Sequence, residues 1–134
     1  MLKAKDIMST DLITVKSQTP VYEAIQELID NNITGLPVVD DDMTVVGVIS
    51  EKDMLKMLYD LEKDGGIVAD YMTETAVSFD PEDDPLDICN CFMENPFRRV
   101  FILSDGKLAG IISRADIIEY ILKIKQHDEV RIPG

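Results

Sequence analysis

The sequence has little positive charge. Thirteen Lys and Arg side chains stand against 26 Asp and Glu side chains, so the formal net charge is −13 at pH 7. Binding to nucleic acid or to an anionic membrane depends on Lys and Arg releasing counterions from phosphates. The charge balance therefore argues against nucleic acid and membrane as partners. A small anionic ligand is still compatible, because a pocket needs only one or two local cationic groups.

Histidine, cysteine and long apolar runs are also scarce. The chain has one histidine, His127, and two cysteines, Cys89 and Cys91, whose spacing of two on a predicted helix points them to different faces. We therefore expect reduced thiols, no zinc site and no triad with histidine as base. No run of about 18 apolar residues is present, and the first residues lack the apolar stretch of a secretion signal. The expected location is cytoplasmic.

The most informative feature is an internal repeat. Asp6-Ile7-Met8-Ser9 recurs 64 residues later as Asp70-Tyr71-Met72-Thr73, and Gly47-Val48-Ile49-Ser50 recurs 63 residues later as Gly110-Ile111-Ile112-Ser113. Self-similarity at a fixed period indicates duplicated structural units. At 134 residues and 46% hydrophobic content, the chain suits a single domain with its own core. We expect repeat 1 at about residues 4–61, a linker at about 62–67, repeat 2 at about 68–125 and a tail at 126–134.

Each repeat has the pattern strand, helix, strand, strand, helix. Thr19-Pro20 and Asp84-Pro85 predict helix starts, with Thr or Asp as N-cap and proline in the first turn. Helical spacing predicts one buried stripe on each of these helices, formed by Val21, Ala24, Ile25, Leu28 and Ile29, and by Ile88, Cys89, Phe92 and Met93. The predicted strands are 12–15, 36–40, 45–50, 76–79, 100–104 and 108–113, and the final helices are about 51–61 and 114–125. The expected fold is mixed α+β, with two small sheets packed across a pseudo-twofold axis and the helices outside.

Two acidic runs, 40–42 and 80–84, raise the question of calcium binding. In the second run Pro85 occupies the place where a calcium loop needs glycine, and Cys91 the place of the closing glutamate. Both runs are better explained as solvated turns and helix caps, with no metal.

The order and spacing of these motifs resemble tandem cystathionine β-synthase (CBS) domains, a pair also called a Bateman module. The resemblance covers about residues 4–125 and is carried by the Asp-x-Met segments, by Thr34-Gly35-Leu36-Pro37-Val38-Val39-Asp40, and by GVISEKD with its second copy GIISRAD. Repeat 2 departs from the family pattern at Arg98-Arg99-Val100-Phe101, where Phe101 stands in place of a proline. A phenylalanine at this position would narrow the cleft next to that segment.

The resemblance implies a non-catalytic regulatory module. Such modules bind adenosine-containing ligands (AMP, ADP, ATP or S-adenosylmethionine) in clefts between the repeats, often as energy sensors, and commonly form homodimers. The regulatory signal from ligand binding would pass to a separate effector protein. The alternative is a structural dimerisation module whose clefts hold no ligand. Catalysis is not expected, because no base, nucleophile or metal cluster emerges from the sequence.

Candidate binding residues follow from two Ser-x-x-Asp junctions at predicted strand-to-helix turns. Each junction is explained either as a helix-capping box or as a contact to phosphate and ribose. Arg98 and Arg99 would either hold a phosphate or pair with carboxylates. By family geometry, one cleft would join Ser113 and Asp116 to Ile13, Ile33, Thr34, Gly35 and Pro37. The other cleft would join Ser50 and Asp53 to Val77, Phe97, Arg98 and Arg99.

Overall fold

The computed structural model describes residues 2–60, 65–74 and 76–131. The chain divides into two compact units, which we name by their sheets. The two-stranded unit comprises Leu12–Val77 and Asp105–Leu108, and the three-stranded unit comprises Met1–Asp11, Ser78–Ser104 and Ala109–Gly134. The unit boundaries therefore differ from the sequence repeat: the Asp6-Ile7-Met8 segment belongs with the strands of repeat 2, and Asp70-Tyr71-Met72 with those of repeat 1.

The two-stranded unit is built on one antiparallel pair. Its elements are helix α2 (Val21–Asn31), strands β1 (Gly35–Val39) and β2 (Val45–Ser50), helix α3 (Glu51–Leu55) and two 3-10 turns, Lys56–Asp60 and Val68–Asp70. Strand β1 pairs with β2 from Gly35 opposite Ser50 to Val39 opposite Val45. The core consists of Val15, Val21, Ala24, Leu28, Leu36, Val38, Ile49, Met57 and Val68.

The three-stranded unit combines parallel and antiparallel strands. Its elements are helix α1 (Ala4–Ile7), strand β3 (Ser78–Phe79), helix α4 (Pro85–Glu94), strand β4 (Arg99–Ser104), strand β5 (Lys107–Ser113, whose first residues lie in the other unit) and helix α5 (Arg114–Arg131). The strand order is β3-β4-β5, with β3 parallel to β4. The core consists of Ala4, Ile88, Phe92, Val100, Ile102, Ile112 and Ile117.

The mixed α/β class with two small sheets is confirmed, but the predicted first strands are wrong in extent. In repeat 1 the segment 12–15 makes a single parallel bridge between Val15 and Val38, and in repeat 2 only Ser78 and Phe79 form a strand. Val15 bonds to strand β1 through its own N–H and C=O, and the chain then turns back at Lys16, whose carbonyl accepts from the Thr19 N–H. This turn ends the pairing. Packing of the sheets across a pseudo-twofold axis stays a prediction.

The two predicted helix starts have different outcomes. At α4 the prediction is confirmed: the Asp84 carboxylate accepts from the Leu86 N–H at 2.9 Å, and Pro85 is the first helical residue. At α2 it is wrong, because Pro20 is the N-cap and the Thr19 hydroxyl oxygen instead accepts from the Lys16 N–H at 3.0 Å. Thr19 therefore closes the preceding turn and leaves the helix without a side-chain cap.

The predicted apolar stripes are too wide. Most of their residues are buried or half-buried, but Ile29 is 69% exposed and Met93 is 73% exposed. Both residues lie in the last turns of their helices, on the side that faces away from the unit's own core.

The final helices also differ from the prediction. Helix α3 stops at Leu55 and continues as a 3-10 turn to Asp60, whereas α5 extends beyond residue 125 to Arg131. Residues 61–64, at the end of the first predicted helix and in the predicted linker, lie outside the described residues. No described helix has the length and apolar content needed to cross a membrane.

Candidate functional site

The Ser50 junction, where β2 runs directly into α3, forms a complete capping box. The Ser50 N–H donates to Asp53 Oδ2 at 2.9 Å, the Ser50 hydroxyl donates to the same oxygen at 3.0 Å, and the Asp53 N–H donates to Ser50 Oγ at 3.4 Å. The other oxygen, Asp53 Oδ1, accepts from the Thr73 hydroxyl at 3.1 Å. Asp53 is only 6% exposed. Every oxygen of this buried carboxylate therefore has a partner within the two-stranded unit.

The Ser113 junction, where β5 runs into α5, repeats the cap but in a more open setting. The Ser113 N–H donates to Asp116 Oδ2 at 2.8 Å, and the Asp116 N–H donates to Ser113 Oγ at 3.2 Å. Asp116 is half-buried. The capping explanation therefore applies to both junctions, and it uses only one carboxylate oxygen of Asp116.

Five predicted site residues lie together in the two-stranded unit, around the entry to β1. Gly35 and Pro37 are buried within the strand, and Ile13, Ile33 and Thr34 are half-buried. The Thr34 carbonyl accepts from the Glu51 N–H at 3.0 Å. This bond ties the segment before β1 to the first residue of α3. The structure thus brings these residues close to the Ser50 junction.

The segment before β4 lies in the three-stranded unit together with the Ser113 junction. Phe97 is half-buried and packs against that unit's core, Arg98 is exposed and Arg99 is half-buried. The Arg98 carbonyl accepts from the Arg114 N–H at 3.0 Å, next to the start of α5. The Arg98 guanidinium forms no ion pair with any residue that the structure describes. Val77, at the end of the other unit, is 40% exposed.

Sequence reasoning missed Arg114 as a structural residue. Its guanidinium donates to three carbonyls, those of Asn95 (2.9 Å), Phe97 (3.1 Å) and Phe92 (3.3 Å), and it lies 5.9 Å from the centroid of the Phe92 ring. Arg114 therefore fixes the end of α4 and the loop that carries Phe97 and Arg98. No sequence signal identifies it, because its partners are backbone carbonyls about 20 residues away.

The acidic runs are turns and caps, as expected. Asp40 Oδ1 accepts from the N–H groups of Asp42 and Thr44. A side-chain hydrogen bond shared with Asp40, together with those that Thr44 donates to Asp42 Oδ1, holds the pKa of Asp42 well below its usual range. Glu82 pairs with Lys3 and with Lys5, the latter at 2.8 Å, and these hydrogen bonds lower the pKa of Glu82 to about 2. The part of the chain that the structure describes contains no cluster of three or more metal-ligating side chains. Cys89 and Cys91 are free and half-buried.

Comparisons with known proteins agree with the duplicated architecture. The family model for the CBS domain matches twice, at residues 4–60 and 68–123. The crystal structure of Arabidopsis thaliana CBSX2 in complex with AMP superimposes with a TM-score of 0.85 at 33% identity, covering 93% of this chain and 99% of that one. The CBS domain pair of MJ0100, in complex with 5′-methylthioadenosine and S-adenosylmethionine, superimposes with a TM-score of 0.77 at 27% identity, covering 89% of this chain and 98% of that one.

Among curated proteins, the chain is 30% identical over 117 residues to the uncharacterised protein MJ1225 of Methanocaldococcus jannaschii and 31% identical over 145 residues to chloroplastic CBSX1 of Arabidopsis thaliana. Each alignment covers 87% of this chain, but only 42% and 61% of the relatives' own lengths. The chain thus spans about half the length of these relatives. It belongs to the CBS-domain family and carries two CBS domains in tandem.

Proposed function

We propose that this CBS pair binds an adenosine-containing ligand, AMP, ADP, ATP or S-adenosylmethionine, and passes the binding event to a separate effector protein without catalysing a reaction. The observation that carries the proposal is the similarity to CBSX2, which was crystallised with AMP, over 93% of the chain. For the nucleotides the module would report cellular energy state. We place it in the cytoplasm, which fractionation of the source cells would test.

The three-stranded unit supplies side chains that suit a nucleotide. Asp116 is half-buried and uses Oδ2 for the cap, so Oδ1 can accept from a ribose hydroxyl. Arg98 is exposed, and its guanidinium can donate to two phosphate oxygens at once. In a chain of net charge −13, an anionic ligand needs such a local cation. The family likeness predicts a different grouping, of Ser113 and Asp116 with residues of the other repeat, and of Ser50 and Asp53 with Val77, Phe97, Arg98 and Arg99. In that alternative Arg98 would not contact the same ligand as Asp116.

Calorimetric titration with AMP and with adenosine tests the proposal. Arg98→Gln should weaken AMP binding by about tenfold, which corresponds to a lost charge-assisted hydrogen bond, and should leave adenosine binding unchanged. Lys56→Gln removes one exposed positive charge elsewhere and serves as the matched control. Wild-type protein that binds neither AMP, ATP nor S-adenosylmethionine would contradict the proposed function.

We also propose that the chain forms a homodimer through its helices. The exposed large apolar residues recur at equivalent positions of the two repeats: Tyr22 with Leu86, Ile29 with Met93, Leu55 with Ile118, Leu58 with Ile121, and Tyr59 with Leu122. In the two-stranded unit, Ile29 and Leu55 line an open groove of about 510 Å³ between α2 and α3. Two matched apolar faces on one chain suit a self-complementary contact with a second copy, which presents the same two faces.

Light scattering on size-exclusion fractions tests the dimer. The double variant Ile29→Glu with Leu55→Glu should convert a dimer to a monomer, because two charges would be buried without partners. Leu2→Glu, at an exposed apolar residue outside both faces, is the control and should remain dimeric. A monomeric wild-type protein at micromolar concentration would contradict this part of the proposal.

A structural dimerisation module without ligand is the second candidate function. It is favoured by the two capping boxes, since Ser50, Asp53, Ser113 and Asp116 all have structural partners. Mass spectrometry of protein purified under mild conditions separates the two candidates. Co-purified nucleotide supports the sensor, whereas dimeric protein with no bound nucleotide and no response to added ligand supports the structural module.

A further inference from the structure

In both units, a residue with a hydroxyl side chain pairs through its backbone with the strand that leads into the Ser-x-x-Asp junction. In the two-stranded unit Thr73 pairs with Val48, through two hydrogen bonds of 2.9 Å each. In the three-stranded unit Ser9, the repeat equivalent of Thr73, pairs in the same way with Ile111 at 2.8 and 3.0 Å. Val48 and Ile111 each stand two residues before the capping serine. A hydroxyl side chain is therefore supplied at the same backbone position in both units.

The side chains at these matched positions behave differently. The Thr73 hydroxyl donates to Asp53 Oδ1 at 3.1 Å, and this bond adds to the two that Asp53 Oδ2 accepts from Ser50, in a residue that is 6% exposed. Thr73 and Ser9 are both exposed, but Asp116 is half-buried where Asp53 is buried. Within the described residues, neither the Ser9 hydroxyl nor Asp116 Oδ1 forms a hydrogen bond with the rest of the chain.

The presence or absence of this internal hydrogen bond decides which carboxylate can accept a hydrogen bond from a ribose hydroxyl. A ribose hydroxyl that approached Asp53 would have to displace the Thr73 hydroxyl from Oδ1 and replace its hydrogen bond, so the exchange would gain little. At Asp116 no internal bond has to be broken.

We propose that Thr73 closes the Asp53 carboxylate to ligands, so that each chain binds one adenosine ligand and does so through Asp116. The inference rests on the proposed function, since it assigns the ligand to one of two candidate carboxylates. Thr73 is then the residue that makes the two repeats differ in ligand binding. Asp53 acts as a structural residue that joins the start of α3 to the segment carrying Thr73.

Calorimetric titration of the full chain with AMP tests the assignment. Wild-type protein should bind one AMP per chain. Asp116→Asn should weaken the binding by about tenfold or more, as expected for loss of a hydrogen bond to a charged acceptor. Asp53→Asn should change it less than about twofold, provided that circular dichroism shows a folded chain. Two equal AMP sites per wild-type chain, or a larger loss from Asp53→Asn than from Asp116→Asn, would overturn the assignment.

A second set of variants tests the closing residue itself. Thr73→Val keeps the shape of the side chain and removes the hydroxyl, so the number of AMP sites should rise toward two per chain. Thr73→Ser should restore one site, and Ser9→Ala at the matched position should leave the number at one. A single site in folded Thr73→Val would overturn the role of Thr73. Failure of AMP, ATP and S-adenosylmethionine to bind any variant would overturn the proposed function, which distinguishes the two failures.

Discussion

The side chain of Met8 lies directly on the backbone of Gly110. A Cβ atom at position 110 would stand 2.6 Å from Met8 Cγ and 2.9 Å from Met8 Cβ, which is closer than side-chain atoms pack. The repeat-equivalent pair behaves similarly, because a Cβ at Gly47 would stand 3.1 Å from Met72 Sδ and 2.7 Å from the Thr73 carbonyl oxygen. In each unit, the Asp-x-Met segment of one repeat therefore packs against the strand glycine of the other repeat.

Gly47→Ala should destabilise the fold. The added methyl group would meet a backbone carbonyl that is held in place by the bridge between Val48 and Thr73, so the strand or the segment must shift. Overpacking of this kind costs about 1–3 kcal/mol. Urea unfolding measures the loss. Gly35→Ala is the matched control, since its Cβ would meet nothing closer than 3.5 Å. Equal loss in both variants would contradict the close contact.

Stability at acidic pH should depend on Glu82. Its hydrogen bonds with Lys3 and Lys5 lower its pKa from 4.5 to about 2 in the folded chain. Because the folded pKa lies below the unfolded one, this contribution is present above about pH 4.5 and is lost as the pH falls toward 2. In Glu82→Gln, the urea midpoint should therefore fall less steeply between pH 4.5 and about pH 2 than it does in the wild-type protein. Glu119→Gln, at an exposed residue of α5, is the control and should leave the pH dependence of the urea midpoint unchanged. A wild-type pH dependence in Glu82→Gln would contradict the pairing of Glu82 with Lys3 and Lys5.

Loss of the Arg114 guanidinium should loosen the segment before β4. Arg114→Met keeps much of the apolar stem but leaves the carbonyls of Phe92, Asn95 and Phe97 without their donor. Hydrogen bonds that involve a charged group contribute about 1.5–3 kcal/mol, so we expect a loss of that order in urea unfolding. Faster amide exchange at residues 95–98 would place the effect locally. Lys123→Met, an exposed cation further along α5, is the control; an equal loss there would contradict the specific role of Arg114.

The sequence repeat predicted the order of strands and helices because local signals repeat with it. Asp84-Pro85 identified the start of α4 correctly, since a cap and its helix are neighbours in sequence. The prediction of Thr19 as an N-cap was wrong, because its hydroxyl oxygen accepts from the Lys16 N–H of the preceding turn and not from an N–H of the helix. Helical spacing could not show that Ile29 and Met93 stay exposed, since periodicity marks an apolar stripe without saying what covers it.

The candidate site was predictable in its residue types and only partly in its contacts. The two Ser-x-x-Asp motifs formed the expected caps because all the atoms involved lie within four consecutive residues. The bond from Thr73 to Asp53 spans 20 residues, and nothing in the sequence distinguishes it from the unbonded pair of Ser9 and Asp116. Such contacts depend on side-chain orientation, which the repeat pattern does not encode.

The central claim, that the chain binds an adenosine ligand, is tested most directly by thermal unfolding with AMP, ADP, ATP, S-adenosylmethionine and NADH. Each compound would be added at about 1 mM in moderate salt, where a ligand present at about 100 times its dissociation constant stabilises by about 2.7 kcal/mol. We predict that at least one adenosine compound raises the midpoint by several degrees and that Asp116→Asn cuts this rise by about half or more, as a tenfold weaker affinity requires. An unchanged midpoint with every compound would contradict it.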